Sequence, residues 1–255
     1  MLFDTHAHYD DEKYNEDRDE AIQRAFDSGV KHIINVSVDV PSSIECIEIA
    51  EKYDFIYSAI GFHPQNVERA DDKTIEALFN LAQNKKVVAI GEVGLDYFYP
   101  EPPRDLQKIW FVKQVELAKT LNIPLIIHDR DAHQDALSII KNENAKQVGG
   151  VFHCFSGSIE TAREILKHDF YISFTGVVTF KNAKSILEVV KSIPDDRILI
   201  ETDCPYLSPE PNRGKRNESS FIAYTAEKIA ELRGMTRESF EMITFENAKR
   251  LFGIQ

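Results

Sequence analysis

The 255-residue chain carries 30 basic against 42 acidic residues, a formal charge of −12, with 43% hydrophobic and 28% charged side chains. That is an ordinary globular balance, with apolar material enough for a core and no run approaching the ~20 apolar residues of a membrane span. The acidic excess excludes a broad basic face that coats nucleic acid by counterion release, though not a strand gripped at one local point.

Short runs rich in Ile, Val and Phe recur at 2–5, 32–38, 56–61, 87–93, 124–128, 150–153, 171–176 and 198–203. They are nearly continuous in apolar character, as buried parallel strands are. Helical patterns lie between them. The first, 17–28, ends at Gly29, a good residue to follow a helix. The spacing Ser42-Ser43-Ile44-Glu45 fits a capping box opening the second. Further patterns cover 74–83, 106–121, 131–141, 159–168, 183–192 and 220–233, and 237–251 adds one more helix. Eight strand-then-helix units predict a (β/α)₈ TIM barrel occupying 1–255 as one domain, with an extra C-terminal helix. A doubly wound sheet would want a glycine-rich first turn, but the turn here is Asp4-Thr5-His6-Ala7-His8.

Three widely spaced cysteines, Cys46, Cys154 and Cys204, do not make a disulfide framework. With no basic and apolar leader pattern at the start, they point to a reducing, cytoplasmic setting.

The chemistry gathers at predicted strand ends. His6 and His8 end the first strand two residues apart, so both leave one face of an extended chain. Glu92 ends the fourth strand, His128 the fifth and His153 the sixth; Glu201 and Asp203 end the eighth, again two apart. Barrel enzymes place their chemistry at these carboxyl ends, and ionisable groups beside apolar runs are costly unless a cation compensates them. His32, at the start of the second strand, reads as structural, and His133 and His168 as solvated helix residues. His63, just after the third strand, lies on the catalytic side, poised for substrate or water.

Four imidazoles and two or three carboxylates exceed the needs of one tetrahedral ion and suit two cations sharing a bridging carboxylate. Glu92 is the natural bridge, with His6, His8 and Asp203 on one ion and His128 and His153 on the other. Asp203 is also the candidate base for an attacking water, while Asp4 and Glu201 fall to a supporting role. Imidazoles suit Zn²⁺ or Mn²⁺ better than Mg²⁺. For substrate phosphates the candidates are Arg130, two residues beyond His128, and Arg213, Lys215 and Arg216 on the loop after the eighth strand. Tyr97-Phe98-Tyr99, Tyr97 foremost, are the candidates for stacking on bases, the alternative being that these aromatics close the barrel mouth by packing on the next helix.

These stretches resemble the TatD family of metal-dependent deoxyribonucleases, within the amidohydrolase-like barrels, over essentially the full chain. The resemblance rests on Phe3-Asp4-Thr5-His6-Ala7-His8, Gly61-Phe62-His63-Pro64, Ala89-Ile90-Gly91-Glu92-Val93-Gly94-Leu95-Asp96, Pro124-Leu125-Ile126-Ile127-His128-Asp129-Arg130, Phe152-His153-Cys154-Phe155-Ser156-Gly157 and Glu201-Thr202-Asp203-Cys204-Pro205-Tyr206-Leu207. Arg213-Gly214-Lys215-Arg216-Asn217-Glu218 looks like the family's loop after the last strand. The resemblance implies a Mg²⁺-supported hydrolase acting on DNA, often from a single-stranded or 3′ end. It also implies metal ligands at His6, His8, Glu92, His128, His153 and Asp203. Tyr9 and Asp129 depart from the common pattern without removing a ligand. The rival readings are a metal-dependent deacylase, for instance on misacylated tRNA, and a degenerate barrel that only binds. Binuclear amidohydrolases of this fold commonly bridge their metals with a carboxylated Lys from strand four, where this chain has Glu92. A degenerate barrel would have lost a ligand.

Overall fold

The apolar runs pair in chain order. In the computed structural model, which describes residues 1–255, the strands are β1 (Leu2–Ala7), β2 (Val30–Val36), β3 (Ile56–Ile60), β4 (Val87–Asp96), β5 (Leu125–Arg130), β6 (Gly150–Phe152), β7 (Tyr171–Phe174) and β8 (Ile198–Ile200), and each pairs parallel with the next. The ring closes where His8 N–H donates to Cys204 O (2.8 Å) and Asp203 N–H to His6 O (2.9 Å). Helices α1 (Arg18–Asp27), α2 (Val40–Lys52), α3 (Thr74–Leu81), α4 (Arg104–Leu121), α5 (His133–Asn142), α6 (Ile159–Lys167), α7 (Lys184–Ser192) and α8 (Ile222–Arg233) follow the strands in turn, and α9 (Arg237–Phe252) is the extra helix. The architecture is the (β/α)₈ barrel, and none of its helices is long and apolar enough to cross a membrane.

Several boundaries move, for physical reasons. β4 runs on to Asp96 because its pairing with β5 continues through Gly94↔His128, Leu95↔Asp129 and Asp96↔Arg130. Gly94 makes that continuation possible: its φ is +138°, and a Cβ there would strike the His128 carbonyl. β8 stops at Ile200, and Asp203 beyond it takes a left-handed φ of +56°. The capping box of α2 sits earlier than the Ser42–Glu45 spacing suggested. Asp39 Oδ1 accepts from Ser42 N–H and Ser42 Oγ accepts from Asp39 N–H, both at 2.9 Å.

Side-chain alternation along the strands builds two apolar layers. The outer joins strands to helices through Ile33, Ile60, Ile90, Leu125, Ile172 and Ile198. The inner gathers Phe3, Ile34, Ala59, Ile126, Val151 and Leu199 with Phe245, Ala248 and Phe252 of α9. The last helix therefore packs against the inner residues, with Phe3 touching Phe245 and Phe252 at ring separations of 6.0 and 6.1 Å. His32 belongs here, stacked on Phe245 at 5.5 Å, and burial lowers its pKa.

Candidate metal centre

Because every strand points the same way, all eight carboxyl ends open on one face, and the predicted ligands meet there. Glu92 lies at the centre, its side chain 5% exposed. Its Oε2 faces His6 Nε2 at 3.3 Å and His8 Nε2 at 3.7 Å, and Asp203 Oδ1 is 3.8 and 3.4 Å from those two nitrogens. Its Oε1 faces His128 Nδ1 at 2.6 Å and His153 Nε2 at 2.8 Å. The two carboxylate oxygens thus face different imidazoles, with His63 Nε2 a third neighbour of Oε1 at 3.6 Å.

The spacing within each pair bears on what the site can hold. His6 Nε2 and His8 Nε2 are 3.1 Å apart, and His128 Nδ1 and His153 Nε2 are 3.2 Å apart. Two imidazole lone pairs at that distance repel unless a proton or a cation lies between them, and carboxylates close the remaining directions. The donor set fits a divalent cation, and no lysine or arginine occupies the space among the donors. Groups with converging ligand atoms are His6–His8–Asp203, His6–His153–Glu201 and His63–Glu92–His128. Without a cation, protons take its place. Burial opposes charging His8, but Asp203 and Glu92 push its pKa up to about 9, and Glu92 and Glu201 likewise raise His153 well above the ordinary value. Burial also opposes ionising Glu92, yet His153, His63, His6 and His128 hold it well below the usual carboxylate range.

The surrounding residues fix this arrangement. Asp4 is fully buried and accepts from Thr202 N–H (2.9 Å), Thr202 Oγ1 (2.6 Å) and Ser219 Oγ (2.6 Å), so it pins both ends of the loop that carries Asp203. Burial raises Asp4 to about 6 against those hydrogen bonds. Glu201 Oε1 accepts from Cys154 N–H at 2.6 Å and approaches His153 Nδ1 at 3.4 Å. His8 Nδ1 donates to Val36 O at 2.7 Å, which leaves its Nε2 free to ligate. His63 is different. Its Nδ1 accepts from Gln65 N–H at 3.1 Å, so in the neutral ring the proton sits on Nε2, 3.6 Å from Glu92 Oε1. Burial lowers its pKa to about 3 and keeps that ring neutral.

All the predicted ligands but His6 line a cavity of about 800 Å³. Arg130 and His63 line it. Tyr97, Arg213, Lys215 and Arg216 lie outside that lining. The Tyr97 hydroxyl donates to Asp135 Oδ2 (2.7 Å) while Arg104 covers its ring. Arg216 is held bidentately by Asp17 at 2.5 and 2.7 Å, and Arg213 lies over the Phe180 ring at 4.2 Å. Nor is His133 merely solvated: its Nδ1 pairs with Asp129 Oδ2 at 2.7 Å. Asp96, which received no role from the sequence, contacts His128 Nε2 at 3.2 Å and orients that ring. Its place four residues beyond Glu92, ending the same motif, was the available signal. Tyr99, one of the three adjacent aromatics singled out in the sequence, is also in the lining, and so is Tyr206, which received no role there.

Comparison with known proteins gives this geometry its setting. The sequence model of the family described as TatD related DNase matches residues 3–253. The chain belongs to the TatD family. Among its TatD-type relatives is the uncharacterised metal-dependent hydrolase YabD of Bacillus subtilis (strain 168), 54% identical with all of both chains covered. Another is the 3′-5′ ssDNA/RNA exonuclease TatD of Escherichia coli (strain K12), 33% identical over 99% of each. The crystal structure of the TatD homologue YjjV from Escherichia coli K12 superposes with a TM-score of 0.94 at 29% identity, covering 100% of this chain and 98% of that one. More remote is the phosphotriesterase homology protein of Escherichia coli, similar in fold alone, with a TM-score of 0.70 at 11% identity and 98% coverage of both chains. Like its TatD relatives, the protein is a metal-dependent hydrolase.

Proposed function

We propose that the protein hydrolyses phosphodiester bonds of DNA, working from the 3′ end of a single strand, with two divalent cations flanking Glu92. The observation that carries this reading is the division of Glu92, one oxygen toward His6 and His8 and the other toward His128 and His153. The activity of the 33%-identical Escherichia coli relative, a 3′-5′ ssDNA/RNA exonuclease, supports the substrate class. Bound divalent cations supply Lewis-acid polarisation of a phosphoryl group and lower the pKa of water.

Within this reading the chain's own groups have distinct tasks. Asp203, beside His6 and His8, accepts the proton of the attacking water. His63 presents a fixed Nε2–H to a phosphoryl oxygen, where a developing negative charge strengthens the bond. Arg130 pairs with a phosphate as the one lysine or arginine in the cavity lining.

The test is release of nucleotides from an end-labelled single-stranded oligonucleotide by protein stripped with a chelator, then reloaded with Mg²⁺, Mn²⁺ or Zn²⁺. Metal-dependent release is expected, with elemental analysis of the reloaded protein giving two ions per chain. An intact fold with no release from any ion rejects the nuclease reading. Release of amino acid from aminoacyl-tRNA in a parallel assay would assign the site to deacylation instead.

A further inference from the structure

The cavity mouth differs from one side to the other. β1 and β8 adjoin at the ring closure, and the segments after them bring Asp10, Asp11, Glu12 and Tyr206 to the lining. That side is occupied with itself: the Tyr206 hydroxyl donates to Asp11 Oδ2 (2.6 Å), and Lys13 lies over the Tyr206 ring at 4.2 Å. Half-way round the ring, the segment after β4 contributes Tyr99 and the end of β5 contributes Arg130. There Phe98 and Tyr99 stand 54% and 49% exposed, edge to face at 4.9 Å. The Arg130 guanidinium lies 3.8 Å from the Phe98 ring centre and 5.8 Å from that of Tyr99.

The backbone beneath this lip is fixed, with Phe98 N–H donating to Asp96 Oδ1 (3.0 Å) and Tyr97 N–H to Arg130 O (2.8 Å). Arg130 lies over the Phe98 ring much as Lys13 lies over Tyr206. But where the Tyr206 hydroxyl is held by Asp11, neither the Arg130 guanidinium nor the Tyr99 hydroxyl has a carboxylate or other side-chain hydrogen-bond partner, and both rings stand half in water. A nucleotide offers a flat π-face and an anion at that separation, which is what such a surface takes. The Asp10–Glu12 side repels the same polyanion.

We propose that Phe98, Tyr99 and Arg130 seat the nucleotide next to the scissile bond of a single-stranded nucleic acid. Its phosphate pairs with Arg130, its base lies against the two rings, and the strand leaves the cavity over β4 and β5. This proposal rests on the phosphodiesterase reading above and adds to it a direction of exit.

The experiment compares wild type, the double variant Phe98→Ala/Tyr99→Ala, Arg130→Gln and a control, Phe79→Ala, an exposed aromatic on α3. KM is measured for a trinucleotide and for the p-nitrophenyl ester of a mononucleotide, and binding of a fluorescein-labelled trinucleotide is followed by anisotropy. The double variant is expected to raise KM for the trinucleotide about five- to a hundredfold, as loss of base stacking does, and to erase its advantage over the mononucleotide ester. Phe79→Ala should change neither. Equal trinucleotide affinity in wild type and the double variant overturns the lip, and if that variant also loses self-association the rings belong to a contact between copies. Trinucleotide binding that needs the lip without hydrolysis of either substrate keeps the lip and rejects the nuclease reading. Absence of binding by wild type rejects both.

Discussion

His63 shows how much one hydrogen bond decides. Grouped by distance alone, it belongs with Glu92 and His128 as a ligand. The Gln65 N–H at its Nδ1 fixes the tautomer, and a ring with a proton on Nε2 donates instead of ligating. Two substitutions separate the roles. His63→Asn keeps an acceptor near Nδ1 and loses the reach of Nε2, so kcat should fall about 10²- to 10³-fold, the usual cost of a lost oxyanion donor. His63→Gln restores a donor near Nε2 and should recover part of that loss. Both should bind as much metal as wild type by elemental analysis; a missing equivalent in either would make His63 a ligand.

Asp17 gives a second test at this scale. Arg216, and then Arg24, hold its carboxyl down to about 2, against the ordinary 3.8. A depressed folded-state pKa contributes stability above the unfolded value and loses it as pH falls through the folded one. Asp17→Asn should therefore lower the Tm at pH 7 and approach wild type between about pH 4 and pH 2. A gap that persists unchanged at pH 2 would show that the carboxylate's charge is not the source. The same pair shows what position in sequence could not: Arg216 follows Asp203 closely along the chain, but its carboxylate partner, Asp17, lies just before α1.

The elements divide labour between the two ends of the barrel. Chemistry sits at the carboxyl ends of the strands, while α9 packs against the inner layer through Phe245, Ala248 and Phe252. Phe245, 5% exposed, fills space between Phe3 and His32. Phe245→Ala should cost about 3–5 kcal/mol as a cavity in a packed core, read as a lower urea midpoint with unchanged slope. A loss below about 1 kcal/mol would mean that α9 is an ornament on the barrel. The strand-end cluster was legible because period-two alternation and apolar runs say where a strand stops and which face His6 and His8 share. The stacking surface was less so. Tyr97, Phe98 and Tyr99 are adjacent, and which ring turns toward Asp135 and which toward the cavity depends on α4 and α5, through Arg104 and Asp135.

At the scale of the molecule, a charge of −12 repels the polyanionic substrate proposed above. Asp10, Asp11, Glu12, Asp96 and Asp129 join Glu92 and Asp203 around the cavity, against the single guanidinium of Arg130. Binding of an oligonucleotide should accordingly weaken little with salt. One Arg130–phosphate pair contributes a slope of about −0.7 in log affinity against log salt for a single strand, and Arg130→Gln should remove that share. A slope several times steeper would reveal a second basic surface that the cavity lining does not contain. The eight-unit architecture was legible at this scale because its repeat is carried by whole segments, whereas the charge around the cavity is set by side chains from segments far apart in sequence.

The packing of α9 on the inner layer also imposes an order of assembly. Phe3 enters the chain at its third residue and meets Phe245 and Phe252 only after the whole barrel has been synthesised. Until that moment the apolar side chains of the inner layer have no cover at that end. A nascent chain that has completed β8 still exposes them to other chains, which makes the interval before α9 emerges the one most open to aggregation.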